Sequence, residues 1–398
     1  MNVASIKNCY GCGVCSKACP KNIITIGLNS NGFYEPIVDV EKCVDCNLCI
    51  DVCAFNHSTL AVENEPLVSY AAWSDDKRVQ RKCSSGGIGF EIAKQLIEQE
   101  HKVCGVKYNA DEKRAEHYIA TTVEECIQSI GSKYIQSYTT DGFRAINRKD
   151  KYLITGTPCQ IDSFRRYIKR FKVESNFVLL DFFCHSVPSM LAWEKYIQLV
   201  EKKVGEITYA SWRNKHTGWH DSWAMGIDGK ENGDKVDWHD SYNVLIKEKK
   251  NYYTSRLSKG DIFYRLFLED YCCNPACVKD CKYKYKKSAA DIRIGDLWGN
   301  TYKNNEDGVS ALVVYTDKGR EVIENLHNCA LVEHPFEVVA EGQMKKNAGK
   351  AYLAPLVGAI LKSNINSEQL WKIIFRIEFV LRLPKRVVNK IIRVIYGK

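Results

Sequence analysis

Eight cysteines within the first 53 residues are spaced for metal. Cys9, Cys12, Cys15 and Cys19 form one run and Cys43, Cys46, Cys49 and Cys53 a second, each reading Cys-x2-Cys-x2-Cys-x3-Cys. Three closely spaced thiolates can wrap one iron–sulfur cube, while the cysteine three residues further on points away and reaches its twin. The pattern predicts two [4Fe-4S] clusters, one on Cys9, Cys12, Cys15 and Cys53, the other on Cys43, Cys46, Cys49 and Cys19. Zinc sites use pairs of Cys-x2-Cys rather than two complete runs of four. A disulfide framework suits a small secreted domain, not a chain of 398 residues.

Residues 1–60 therefore read as a bacterial two-cluster ferredoxin module, with Ala54 where the second proline of that pattern stands. Between the runs, β-prone Ile23–Ile26 and Tyr34–Val38 flank the turn signal Asn29-Ser-Asn-Gly32, which predicts a small hairpin. The composition, 45% hydrophobic and 26% charged, is that of a globular protein with a sizeable core. Met1–Lys7 runs straight into the first cysteine run without an apolar leader, so the 18 cysteines are expected in a reducing, cytoplasmic compartment. No window reaches about 18 uninterrupted apolar residues, so no membrane span is expected. The net charge of +9 is concentrated: residues 362–398 carry nine Lys or Arg against two Glu, a net +7, which leaves +2 for the rest. A nearly neutral body argues against a nucleic-acid partner.

After a polar linker at Ala61–Pro66, a second unit runs to about residue 345. Its grammar is strand, loop, helix: Val68–Trp73 and the Cys83-Ser84-Ser85-Gly86-Gly87 loop before a helix at Ile88–Gln99, then strand Lys102–Tyr108. Strand Tyr152–Thr155 enters Gly156-Thr157-Pro158-Cys159-Gln160 and a helix over Ile161–Phe171, and strand Val178–Phe183 ends at Cys184-His185 before a helix over Ser189–Lys203. Strands and helices in alternation predict an α/β core with a parallel or mixed sheet, whose ligands sit at strand carboxyl ends. Residues 207–257 change to an aromatic-rich, β-rich or irregular texture, and a strand at Ala311–Thr316 precedes a helix at Lys318–Asn325. The fold class expected is thus mixed α+β and α/β: a ferredoxin module (1–60), an α/β flavin and iron–sulfur domain (61–345) and a basic amphipathic helical tail (346–398).

Cys272, Cys273, Cys277 and Cys281 crowd into ten residues, a spacing open to a zinc knuckle or a cluster site. Six motifs in order decide the reading: Cys83-Ser-Ser-Gly-Gly87, Gly131-Ser-Lys-Tyr-Ile-Gln-Ser137, Gly156-Thr-Pro-Cys-Gln160, Cys184-His-Ser-Val-Pro-Ser189, Cys277 with Cys281, and Ser288–Gly299. The stretch from about Val68 to Ile323 resembles the beta-subunit family of coenzyme F420 hydrogenases and dehydrogenases, whose bacterial ferredoxin-fused relatives look like polysaccharide-biosynthesis proteins. The resemblance implies a third [4Fe-4S] cluster on Cys159, Cys184, Cys277 and Cys281, close to a bound FAD. The family's final pair is commonly Cys-x2-Cys, whereas Cys277 and Cys281 are one residue further apart, which leaves Cys273 as a substitute ligand. Cys104, Cys126 and Cys329 read as buried thiols.

For FAD, Ser84, Ser85, Gly86 and Gly87 offer backbone amides at a helix start, where a phosphate is favoured; the alternative is a capped helix with a flexible entry. The resemblance adds Ser132, Lys133, Tyr134 and Gln136 as a second flavin-contacting stretch, with Lys133 opposite the pyrophosphate, and Thr157 and Pro158 beside the cluster loop. His185, His216 and His220 are the candidate proton donors. The stretch Trp212–Trp223 is a candidate substrate contact or a hairpin with half-buried aromatics. The expected function is a flavin- and iron–sulfur-dependent oxidoreductase that takes electrons from a low-potential donor and passes them to an organic acceptor, by analogy a nucleotide- or lipid-linked sugar. The alternative is an electron-transfer subunit, linked to ferredoxin or deazaflavin, that serves a separate catalytic partner. A third reading is a scaffold without flavin. Within the tail, Leu370, Trp371, Ile374, Ile377, Val380 and Leu381, then Val387, Val388, Ile391, Ile392 and Ile395 past Pro384, fall at helical spacing among Lys and Arg. They are expected to lie on an anionic membrane surface, the cytoplasmic inner face. The competing expectation is packing on the protein's own core or on a partner subunit.

Overall fold

A computed structural model of the chain describes residues 1–215, 217–232, 253–377 and 379–380. At its centre lies a nine-stranded sheet in the order β14-β3-β13-β12-β8-β7-β4-β5-β6. The strands are β3 (Val68–Ser74), β4 (Lys102–Asn109), β5 (Arg114–Ala120), β6 (Ser137–Tyr138), β7 (Tyr152–Thr155), β8 (Phe177–Phe182), β12 (Ile292–Asp296), β13 (Ser310–Val314) and β14 (Cys329–Glu333). Neighbours β12, β8, β7 and β4 run parallel, and the flanking pairs β13–β12 and β4–β5 are antiparallel. The mixed sheet matches the expectation from alternating elements.

The parallel strands are covered on both faces. Side chains alternate across a strand, so Leu153, Val178 and Leu180 join the helices Ile88–Glu98 and Asp317–Glu324 in one core, while Tyr152, Ile154, Phe177 and Leu179 join the helix Pro158–Arg170 in another. Burial on both faces explains why β7 and β8 read as continuous apolar runs. The helix Pro158–Arg170 begins earlier than its apolar spacing indicates. Thr157 and Gln160 form a capping box and Pro158 occupies the first turn, where its missing N–H costs nothing.

The cysteine-rich module carries a hairpin of β1 (Ile24–Leu28) and β2 (Tyr34–Val38), paired from Ile24 opposite Val38 to Leu28 opposite Tyr34. Two one-turn helices, Val14–Ala18 and Leu48–Asp51, follow Gly13 and Asn47, which both adopt positive φ. The module is sewn onto the body. Val14, Ala18 and Val52 share a core with the helix Pro158–Arg170. Lys282 Nζ donates to the carbonyls of Ala54, His57 and Thr59 at 2.8, 2.6 and 2.9 Å. The polar stretch at 61–66 lies against the same surface, with Ala61 N donating to Asp162 Oδ1 at 2.6 Å.

The aromatic region forms a three-stranded antiparallel sheet of β9 (Ile207–Ser211), β10 (Ala224–Gly229) and β11 (Tyr253–Arg256). At the C-terminal end, residues 367–377 are helical. Leu370, Trp371 and Ile374 are buried there against Ala192, Leu266, Leu353, Val357 and Leu361. This corrects the membrane-surface expectation for the first half of the tail: its apolar stripe is covered by the protein's own core, and a side chain so covered has no face to give to lipid. Val380, by contrast, is exposed, and Leu381 onward lies outside the described residues. No helix among the described residues is long and apolar enough to cross a membrane.

Candidate functional site

The twelve expected cluster cysteines fall into three neighbouring groups. Cys19, Cys43, Cys46 and Cys49 line one cavity together with Met1, Asn2, Pro20 and Val44, and Cys46 is exposed, so this group lies at the surface. Behind it, Cys9, Cys12, Cys15 and Cys53 are in mutual reach: burial first, then the neighbouring thiols of Cys12 and Cys53, push Cys9 up to about 12. Burial and the same set hold Cys15 well above the usual thiol range. The chain grouping of three from one run and one from the other follows the spacing.

The third group is assembled from distant segments. Cys159 opens the helix after β7 and Cys184 follows β8, so both leave the carboxyl ends of adjacent parallel strands, where open α/β sheets place ligands. Cys277 lies in the short helix Pro275–Lys279, and Cys281 just after it. Burial, Cys12, Cys277 and Cys184 together hold Cys159 well above the ordinary thiol range. Burial and then Cys184 and Cys281 raise Cys277 to about 12, and Cys184 stands at about 11, with burial and Cys281 raising it and Lys284 opposing. Crowded, buried thiols of this kind keep their protons unless a cation replaces them, which is what iron does on ligation. The donor set therefore fits iron–sulfur clusters.

The second and third groups meet across the module boundary. The Sγ of Cys12 donates to Ser163 Oγ at 3.2 Å, and the same hydroxyl accepts from Ala54 N at 3.0 Å. Ser163 lies one helical turn beyond Cys159. Tyr10 fills the seam, its ring 5.0 Å from Phe55 and 5.8 Å from Tyr283, its hydroxyl donating to Asp280 O at 2.5 Å. Neither Ser163 nor Tyr10 was distinguishable from ordinary core residues in the sequence.

Of the expected flavin residues, the two stretches converge: Ser132 N donates to Ser84 Oγ at 2.8 Å. Their side chains do not all point one way. Ser85 Oγ donates to Val309 O at 2.7 Å. Gly86 is required by packing, because a Cβ there would meet Ala72 O and lie 2.8 Å from Ser310 N, and Gly87, at φ 92, starts the helix Ile88–Glu98. Lys133 departs from its expected place opposite a pyrophosphate: its Nζ donates to the carbonyls of Gln128, Ser129 and Ile130 at 3.2, 3.0 and 3.1 Å, and burial lowers it to about 7. Gln136 departs too. It accepts from Tyr34 N at 3.1 Å and donates to Tyr10 O at 3.2 Å, so it ties the cysteine module down. Thr157 Oγ1 stands 3.1 Å from Cys159 Sγ, and Pro158 is buried in the first turn.

What joins these motifs is Arg213, fully buried. Its guanidinium meets Asp296 in a bidentate pair at 2.8 and 3.1 Å, and donates to Tyr134 Oη at 3.0 Å, Ser84 O at 3.3 Å and Ser222 Oγ at 2.7 Å. Trp223 and Trp298 lie within 5.0 and 5.2 Å of it, and Trp219 Nε1 donates to Asp296 Oδ1 at 2.9 Å. Lys215 Nζ, next along, donates to Gln80 O, Ser85 O and Asp307 O at 2.7, 2.5 and 2.7 Å. The stretch Trp212–Trp223 is thus largely structural: Trp212 and Trp219 are buried in core, which displaces the substrate-contact expectation for those two rings. His185 is held between Asp270 and Met344, both at 2.8 Å. His220 is exposed and faces Glu306 at 3.2 Å. His216 lies outside the described residues.

Comparison with known proteins agrees with the motif order. Residues 8–57 match a 4Fe-4S dicluster domain. Residues 69–141 match the N-terminal part, and 149–336 the C-terminal part, of the coenzyme F420 hydrogenase/dehydrogenase beta subunit. A coenzyme F420 hydrogenase subunit beta from Methanococcus voltae is 30% identical over 124 residues, which cover 29% of this chain and 44% of that protein. The match thus spans less than half of the relative's length. A solved structure of the F420-reducing [NiFe] hydrogenase complex from Methanosarcina barkeri aligns at 16% identity and a TM-score of 0.46, over 77% of this chain and 91% of the matched chain. With both parts of the beta subunit present in order behind a dicluster domain, the chain belongs to the coenzyme F420 hydrogenase/dehydrogenase beta-subunit family.

Proposed function

We propose that the chain is an iron–sulfur electron-transfer subunit. Low-potential electrons would enter where Cys19, Cys43, Cys46 and Cys49 reach the surface, move inward past Cys9, Cys12, Cys15 and Cys53, and cross to Cys159, Cys184, Cys277 and Cys281. The observation that carries this reading is the adjacency of Cys12 and Cys159 across the module seam, with Ser163 bridging from the same helix. A dead-end cluster would need no such contact. Cys15 and Cys53 of the middle group are buried, and the exposed Cys46 side leaves one end open to a donor.

FAD belongs to the same reading as the group that exchanges single electrons for pairs. The residues that support it are Ser84, Ser132 and Tyr134, which converge beside the Arg213–Asp296 pair, together with the helix start at Gly87, whose amides favour a phosphate. Lys133 and Gln136 do not contribute in this arrangement. The chain's own part is to hold the two stretches together and exclude water with Trp298 and Trp223.

The test is anaerobic purification with flavin reconstitution, acid release and chromatography, followed by reduction with dithionite. The reading expects FAD, reducible clusters, and no acceptor turnover until a catalytic partner is added. Turnover of a nucleotide- or lipid-linked sugar by the chain alone would favour a self-contained reductase; recovery of FMN would overturn FAD as the cofactor, and recovery of no flavin would remove the flavin from the account.

A further inference from the structure

The hydrogen-bonding contacts of Cys273, with Ser186, Phe267 and Asp270, lie outside the group formed by Cys159, Cys184, Cys277 and Cys281. The Cys273 sulfur lies 2.8 Å from Ser186 Oγ and 3.6 Å from Asp270 Oδ1. That same carboxylate oxygen is 2.8 Å from His185 Nε2. One nitrogen, one oxygen and one sulfur donor lie within 4.8 Å of one another. We infer that His185, Asp270 and Cys273 form a mononuclear site for a zinc-type divalent cation, separate from the iron–sulfur clusters.

The donors are pinned from three directions. Asp270 adopts a positive φ of 63° just past the helix Ile262–Leu268, and its outer oxygen accepts from Gly349 N at 2.5 Å, which leaves Oδ1 turned toward His185. Cys273 pairs with Pro188 in an isolated bridge, reinforced by Ser189 N to Cys272 O at 2.8 Å and Asn274 N to Val187 O at 2.9 Å. The short ladder fixes the sulfur opposite the segment that carries His185. On the imidazole's far side, Nδ1 stands 2.8 Å from Met344 Sδ. At 2.8 Å the Asp270 carboxylate oxygen can only accept, so Nε2 carries a hydrogen toward it; a bound cation would displace that hydrogen, leaving the neutral ring its Nδ1 hydrogen toward the Met344 thioether, a weak acceptor.

The chemistry of the set selects the cation. Mixed imidazole, thiolate and carboxylate donors suit zinc rather than calcium or magnesium, which take oxygen. Zinc bonds of about 2.0 to 2.3 Å in a tetrahedron separate the ligand atoms by about 3.3 to 3.8 Å. The 3.6 Å sulfur-to-carboxylate spacing already falls there, and the 2.8 Å imidazole-to-carboxylate spacing would open by about half an ångström. Ser186 Oγ or a water would complete four-coordination. Such a site would clamp segments 184–189 and 270–274, and through Gly349 the 344–349 arm, beside the loops that carry Cys184 and Cys277.

The experiment uses the full-length protein, prepared anaerobically with its clusters, equilibrated with Zn2+ and desalted. Iron and zinc are counted by mass spectrometry, and the zinc K-edge absorption spectrum, blind to iron, reports the first shell. The site predicts about one retained zinc per chain with a single sulfur neighbour near 2.3 Å and otherwise nitrogen or oxygen. Cys273→Ser and Asp270→Asn should each lose that zinc while iron stays at the wild-type level. No retained zinc, or a shell without sulfur or with four sulfurs, would overturn the site. So would a Cys273→Ser protein that keeps zinc and loses about a third of its iron, because Cys273 would then be a cluster ligand. If a variant does not fold, the wild-type spectrum alone decides.

Discussion

Arg213 and Asp296 are 83 residues apart in sequence and form a buried bidentate pair at the meeting point of four motifs. Guanidinium and carboxylate match each other's geometry, and every remaining Arg213 donor is spent on Tyr134, Ser84 or Ser222. Removing one charge leaves the other stranded in a water-poor site, so Asp296→Asn should cost about 3 to 5 kcal/mol in denaturant unfolding of the anaerobic protein. A change under about 1 kcal/mol would place the pair in solvent instead. The motif around Asp296 was visible in the sequence, but its partner was not: Arg213 sits inside an aromatic stretch that reads equally well as a hairpin, and nothing local marks a contact made by folding. The same holds for His185 and Asp270, 85 residues apart. The cysteines were legible because a cluster demands fixed local spacing, which folding does not have to supply.

Glycine types separate packing from helix chemistry in the element that opens the family's N-terminal part. A Cβ at Gly86 would meet backbone atoms of β3 and β13, which cannot yield without moving the sheet, whereas one at Gly89 would meet only the Cδ1 end of Ile294 at 2.8 Å. Gly86→Ala should therefore destabilise the fold by about 1 to 3 kcal/mol. Gly89→Ala should come out near neutral, its contact offset by about 1 kcal/mol of helix propensity. Equal effects in paired denaturation curves would contradict the close approach of this loop to the sheet. Elements with strong local signals were readable: β7 from its apolar run and the following helix from its cap and periodicity. β5 was missed because Arg114–Ala120 carries Arg, Glu and His on a strand whose faces are only partly covered. The tail's stripe at Leu370, Trp371 and Ile374 has the same period whether it meets lipid or protein, and the choice depends on Ala192 and Leu266, which only the fold brings near.

At the scale of the whole molecule, the cysteine module shares a core with the mixed sheet, and the 367–377 helix packs on the helices that carry Ala192 and Leu266. Truncation after Asn364 would uncover the core beneath Leu370, Trp371 and Ile374; at about 1.5 to 3 kcal/mol per large apolar side chain, the loss should reach about 5 kcal/mol, lowering the urea midpoint and raising dye binding. An unchanged midpoint would mean that the helix is not docked. The central claim, a continuous path from the exposed cysteines through the seam to a third group, is most directly tested by iron. Three clusters require about twelve irons per chain in anaerobically prepared protein. Cys159→Ser should remove about a third of that iron while leaving the spectroscopic signals of the two ferredoxin clusters intact. About eight irons in the wild-type chain with full ferredoxin signals, or a Cys159→Ser protein with undiminished iron, would contradict the path.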